Sequence, residues 1–145
     1  MKNMPLPCVL DASAGIKMFL SEDYSEDIQR LFEQAKEDST DPIHVPDLFF
    51  IECANVLWKK VRRGEYPETA ASEDLADLRA LDLPTTPTSE LMERALQIAC
   101  LHGITAYDAC YVALAEQLDV PLLTADSRLA ALLSNAGFKT AILGE

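Results

Sequence analysis

Positive charge is scarce in this sequence: 12 lysines and arginines stand against 24 aspartates and glutamates in 145 residues, a formal net charge of −12. A chain of that sign does not hold a polyanion through bulk charge, so any nucleic-acid role has to work through a local site. Histidine is limited to His44 and His102. The four cysteines, Cys8, Cys53, Cys100 and Cys110, make no C-x2-C or C-x4-C step, and each has apolar residues beside it. That excludes a zinc-finger type of ligand set and predicts buried, reduced, structural thiols. Long apolar runs are missing as well. The longest stretch without a charged side chain, Ala95 to Tyr107, falls short of the about 20 residues that a membrane helix needs. Met1 to Leu10 offers too short an apolar run for a secretory signal, so a cytoplasmic location is expected. Neither G-x-G-x-x-G nor G-x4-G-K-[ST] occurs, which removes the phosphate cradles of dinucleotide and P-loop sites.

What is present is an ordinary globular composition, 49% apolar and 25% charged, in a length that fits one domain spanning 1–145. Pro7-Cys8-Val9-Leu10 reads as a buried strand ending at Asp11, followed by a helical pattern from Ser13 through Leu20. Ser25 to about Lys36 is an amphipathic helix with Ser25 as its expected N-cap. Ile43-His44-Val45 is a second strand, broken at Pro46. Asp47 is then expected to cap a helix to about Arg63, stopped by Gly64. A further helix runs from near Pro67 to about Leu81, and Leu83 to Pro87 reads as a short edge strand. Ser89 opens a helix that ends near Gly103, and Thr105 or Ala106 starts another that reaches Leu118. Val120 to Thr124 is a buried strand, Asp126 caps the helix Ser127 to Ala136, and Lys139 to Leu143 is a last strand. This alternation predicts an α/β domain with a mainly parallel sheet covered on both faces. Ligands of such sheets gather at the carboxyl ends of the strands, where Asp11 and Asp126 fall.

Four carboxylates occupy places where a charge is costly. Asp11 and Asp126 end apolar strands, and each also reads as a helix N-cap. Glu52 lies mid-helix among Leu48, Phe49 and Val56, with Asn55 expected in the same polar pocket; a buried salt bridge is its bland alternative. Asp108 is set in the apolar stretch Thr105 to Ala115, where the helix dipole alone would favour an acid. Two charges about 5 Å apart repel by roughly 3 kcal/mol at an effective dielectric of 20. If the four converge they need protons, a cationic partner or a divalent ion. Oxygen ligands without His or Cys suit Mg²⁺ or Mn²⁺, and such sites usually act on phosphate esters.

The strings Val9-Leu10-Asp11-Ala12-Ser13-Ala14, Phe50-Ile51-Glu52-Cys53-Ala54-Asn55-Val56-Leu57, Ala106-Tyr107-Asp108-Ala109 and Leu123-Thr124-Ala125-Asp126-Ser127-Arg128-Leu129 resemble, in this order, the four motifs of PIN-domain ribonucleases of the VapC toxin type. The resemblance covers nearly the whole chain. It implies a three-layer α/β/α PIN-like fold with a mainly parallel central sheet and RNA cleavage dependent on Mg²⁺ or Mn²⁺. It also implies homodimers and, in toxin members, a cognate antitoxin that blocks the site. Under it, Asp11, Glu52, Asp108 and Asp126 are the metal-binding and catalytic acids, and Ser13 and Thr124 are supporting hydroxyls. Dimerisation is expected through helix surface around Phe49, Trp58 or Leu78. Lys59, Lys60, Arg62 and Arg63, the one dense basic cluster, either steer phosphate or form a solvated helix C-terminus.

Other readings fare worse. A phosphotransferase of the haloacid dehalogenase kind needs an aspartate where Ser13 stands. A receiver domain needs an early paired acid and a late lysine after a strand, whereas Lys139 begins one. The remaining alternative is a PIN-like module that binds a protein or RNA partner without cutting, since fold alone does not settle activity.

Overall fold

A computed structural model of the chain describes residues 5–37 and 42–143. β1 (Cys8–Leu10) is buried at every residue, which is why its sequence is a continuous apolar run rather than an alternating one. It is central in a parallel sheet of order β3-β2-β1-β4-β5, with β2 (Ile43–Pro46), β3 (Thr85–Thr86), β4 (Leu122–Thr124) and β5 (Thr140–Ile142). Helices α1 (Ala12–Gly15), α2 (Ser25–Glu37), α3 (Leu48–Arg62), α4 (Glu68–Ala80), α5 (Met92–His102), α6 (Ala106–Leu118) and α7 (Ser127–Asn135) complete a three-layer α/β/α arrangement. α6 lies against β1, β2 and β4, and Ala109 through Ala115 are all buried, as expected of a helix enclosed on every side. No single helix among the described residues is long and apolar enough to cross a membrane.

Several local expectations are corrected. The helical pattern from Ser13 to Leu20 splits into α1 and a 3-10 turn, Ile16–Met18. Ser25 is the first residue of α2 rather than its cap: its hydroxyl accepts from the Glu22 amide at 3.0 Å and donates to the Leu20 carbonyl. Asp47 flanks α3 but does not cap it, because its Oδ1 accepts instead from the Thr88 amide at 2.9 Å. Pro46 belongs to β2. The amides on either side of it, Val45 and Asp47, donate to the Pro84 and Thr86 carbonyls at 3.1 and 2.9 Å, so the missing N–H interrupts nothing on that edge. The helix expected from Ser89 begins as a 3-10 turn, Thr88–Glu90, before α5. Cys8, Cys53 and Cys110 are buried thiols, whereas Cys100 is exposed on α5.

The α3 face that enters the core carries Phe49, Cys53 and Leu57, one every four residues. Phe49 and Leu78, expected on a dimer surface, are core residues instead; of the three positions named for that role only Trp58 is exposed. Phe49 meets α1 where the chain has no side chain. A Cβ at Gly15 would stand 2.7 Å from Phe49 Cε1 and Cζ and 3.2 Å from Leu10 Cδ2. Gly15 has helical dihedrals, φ −61° and ψ −39°, so propensity alone would favour alanine by roughly 0.5–1 kcal/mol. Overpacking against a ring with nowhere to go costs more, and Gly15→Ala is expected to destabilise by about 1–3 kcal/mol in urea melts. A stabilised variant would mean that the ring yields.

Candidate active site

The site starts from the pairing of β1 with β4. Val9 and Leu10 lie opposite Leu122 and Leu123, and the Asp11 amide extends the ladder by donating to the Leu123 carbonyl at 3.2 Å. β1 and β4 are also where the sheet order reverses, since the chain proceeds from β1 to β2 on one side and from β4 to β5 on the other. Asp11 and Asp126 therefore leave the sheet at the carboxyl edge beside the switch point.

Two hydroxyls stitch these strand ends together. Ser13 Oγ donates to Asp11 Oδ1 at 2.7 Å, accepts from the Ala125 amide at 3.2 Å and lies 3.4 Å from Thr124 Oγ1. Thr124, fully buried, accepts from the Asp126 amide at 3.0 Å. Asp11 Oδ1 also accepts from the Ala14 amide at 3.0 Å, which makes it the cap of α1. Asp126 caps α7 as expected, its Oδ1 accepting from the Arg128 and Leu129 amides at 3.1 Å each.

Burial sets the electrostatics. Asp11 is 6% exposed. Desolvation pushes its carboxyl up to about 6, against the opposing pull of the Thr124 and Ser13 hydroxyls and the Ala14 amide, while the Asp108 charge raises it further. Asp108, half-buried in the first turn of α6, is raised by desolvation first and by the Asp126 charge second. Its amide donates to Thr105 Oγ1 at 3.1 Å, so Thr105 is the cap of that helix. Asp11, Asp108 and Asp126 thus form a run of mutually repelling acids.

Glu52 is half-buried at the margin of the α3 core face, and its Oε1 accepts from the Tyr111 hydroxyl at 2.6 Å. Burial above all raises the Cys53 thiol and the Tyr111 phenol, and the Glu52 and Asp11 charges add to the shift of each. Asn55, expected in its pocket, is exposed. Sequence reasoning missed Tyr111. The available signal was a tyrosine, three residues after Asp108, in the otherwise apolar stretch Ala109 to Ala115 of that helix.

The salt-bridge alternative for Glu52 is not realised. The ion pairs among the described residues are Arg30–Asp27, Lys60–Glu22, Arg94–Glu116 and Lys139–Asp119, and none includes one of the four acids. Lys60 of the basic cluster turns to Glu22 at 3.7 Å, and the Arg62 guanidinium stands 5.4 Å over the Trp58 ring. No group of three or more His, Cys, Asp or Glu among the described residues is drawn together tightly enough to hold a metal ion as it stands. The donor chemistry still fits a hard cation, because Mg²⁺ keeps several waters and needs only one or two protein carboxylates.

Known proteins with this pattern bear on its meaning. The PIN domain model matches residues 8–133. Ribonuclease VapC3 of Pyrobaculum aerophilum is 41% identical over 126 residues, covering 84% of this chain and 91% of that one. Among solved structures, PAE2754 from Pyrobaculum aerophilum superposes with a TM-score of 0.69 at 25% identity, over 96% of this chain and 84% of that one. A toxin–antitoxin complex from Klebsiella pneumoniae shares the fold alone, with a TM-score of 0.60 at 12% identity over 92% and 95% of the two chains. With its motifs in order, its sheet order and its acids at the carboxyl edge, the chain belongs to the PIN-domain family, among the VapC ribonucleases.

Proposed function

We propose that this protein is a Mg²⁺- or Mn²⁺-dependent endoribonuclease, the toxin of a toxin–antitoxin pair, with Asp11, Glu52, Asp108 and Asp126 as its metal-holding and catalytic acids. The observation that carries the proposal is the run from buried Asp11 through half-buried Asp108 to exposed Asp126, in which neighbouring carboxylates repel one another and none is paired to a lysine or arginine among the described residues. Such a run is tolerable when a divalent cation supplies the missing positive charge. When bound, that ion lowers the pKa of a water and neutralises charge on the leaving oxygen of a phosphodiester.

The chain's own residues supply order. In Asp11, Glu52 and Asp126 one carboxylate oxygen is tied to the scaffold, by Ser13 and Ala14, by Tyr111, and by the first amides of α7 respectively. Ser13 and Thr124 hold the ends of β1 and β4 in register, so the acids on both strands keep a fixed relation. Asp108 approaches from α6 and carries the charge felt by Asp11. With a net charge of −12, the protein has to hold RNA through the ion and the local cluster rather than by general attraction. The toxin–antitoxin complex that shares the fold supports an antitoxin as the protein partner.

The test uses purified, metal-stripped protein and a panel of RNAs. Cutting is expected with Mg²⁺ or Mn²⁺ and not with EDTA, and re-adding the ion restores it. Cleavage that continues in EDTA, or in Asp11→Asn/Asp126→Asn, overturns the proposal. RNA binding without any cleavage points to the silent binding module.

A further inference from the structure

Of the seven consecutive buried residues in α6, Ala109 to Ala115, only Tyr111 carries an oxygen in its side chain. Packing gives a reason for the ring and none for the hydroxyl, since phenylalanine would fill the same space with no polar atom to satisfy. The hydroxyl is nonetheless placed: it donates to Glu52 Oε1 at 2.6 Å, across 59 positions of sequence. That is the short, charge-assisted range for an O–H to a carboxylate. Tyr111 also stands three residues after Asp108, one turn along the same side of α6. One bond therefore ties the acid of α3 to the helix that presents Asp108. Glu52 Oε2 accepts no hydrogen bond among the described residues.

We propose that Tyr111 is a positioning residue for Glu52, its phenol fixing one carboxylate oxygen so that the other is kept for the divalent ion or its waters. This rests on the metal-dependent nuclease reading above. A glutamate on a helix has three torsions to arrest before it holds anything, and the phenol arrests them in advance. Loss of such an outer partner typically costs 10–100-fold in metal affinity or activity.

The experiment compares wild type, Tyr111→Phe, Glu52→Gln and the double variant by Mn²⁺ titration and by RNA cleavage kinetics. Tyr111→Phe is expected to bind Mn²⁺ about 10-fold more weakly and to lose about 10–100-fold in kcat, with KM for RNA nearly unchanged. In the Glu52→Gln background the same substitution should do nothing further, because its effect passes through Glu52. Wild-type Mn²⁺ affinity and kcat in Tyr111→Phe, or an equal further loss in the double variant, overturns the proposal while leaving the nuclease reading intact. A wild-type chain that neither binds Mn²⁺ nor cuts RNA overturns both. If Tyr111→Phe folds poorly, Glu52→Asp replaces it: the charge stays but withdraws from the phenol by one methylene. Undiminished Mn²⁺ affinity in that variant overturns the proposal as well.

Discussion

With divalent ions removed, Asp11 is expected to withdraw roughly 2–3 kcal/mol of stability as the pH rises from 4 to 7. Its carboxyl titrates at about 6 in the folded chain against an ordinary value of 3.8, and each pH unit of that gap is worth 1.36 kcal/mol. The folded state holds the proton more tightly than the unfolded one. Between pH 4 and 6 it therefore carries more protons, and stability falls with rising pH; above 6 both states are ionised and the penalty is constant. Asp108, raised in the same direction, adds to the slope, whereas Glu116, lowered by its bond to Arg94, works against it. The comparison that isolates Asp11 is urea melting of wild type and Asp11→Asn in EDTA across this range. The variant should gain on the wild type by about 3 kcal/mol at pH 7 and by only about 0.5 kcal/mol at pH 4. Parallel curves would mean that the Asp11 carboxyl is hydrated. Mn²⁺ at about 100 times its Kd should return about 2.7 kcal/mol to the wild type.

Activity and stability should move in opposite directions at Asp108. Asp108→Asn is expected to reduce RNA cleavage by about 10³-fold or more, the scale of several kcal/mol of transition-state stabilisation that a metal site supplies. The same variant in EDTA should melt at or above the wild-type temperature, because it removes a charge that repels Asp11 and Asp126. Cleavage within about tenfold of wild type would take Asp108 out of the mechanism. A large drop in melting temperature would instead make it a structural helix-end acid.

Much of this fold is legible in the sequence because its signals are local. The apolar run of β1, the left-handed Gly64 (φ 73°) after α3 and the cap at Asp126 each act within a few residues of where they are read. The four acids stand out for the same reason, as charges set into apolar segments. What escaped notice depends on partners distant in the chain. Asp47 has the identity and position of a helix cap, yet the Thr88 amide, 41 residues on, claims its carboxylate. Phe49 looks available on a long helix until α1 is placed against it. Cys100 is bounded by apolar neighbours, but its turn of α5 faces outward. Tyr111 reads as one more core aromatic, and only the approach of α3 gives its oxygen a purpose.

The close approach of Gly15 to Phe49 has a mechanical consequence. Phe49 is one helical turn before Glu52, and Gly15 is one turn after Asp11, so the segment bearing one acid and the helix bearing the other pack directly against each other. On the nuclease reading proposed above, the spacing between Asp11 and Glu52 is then set by core packing, and an RNA strand would have to fit itself to it.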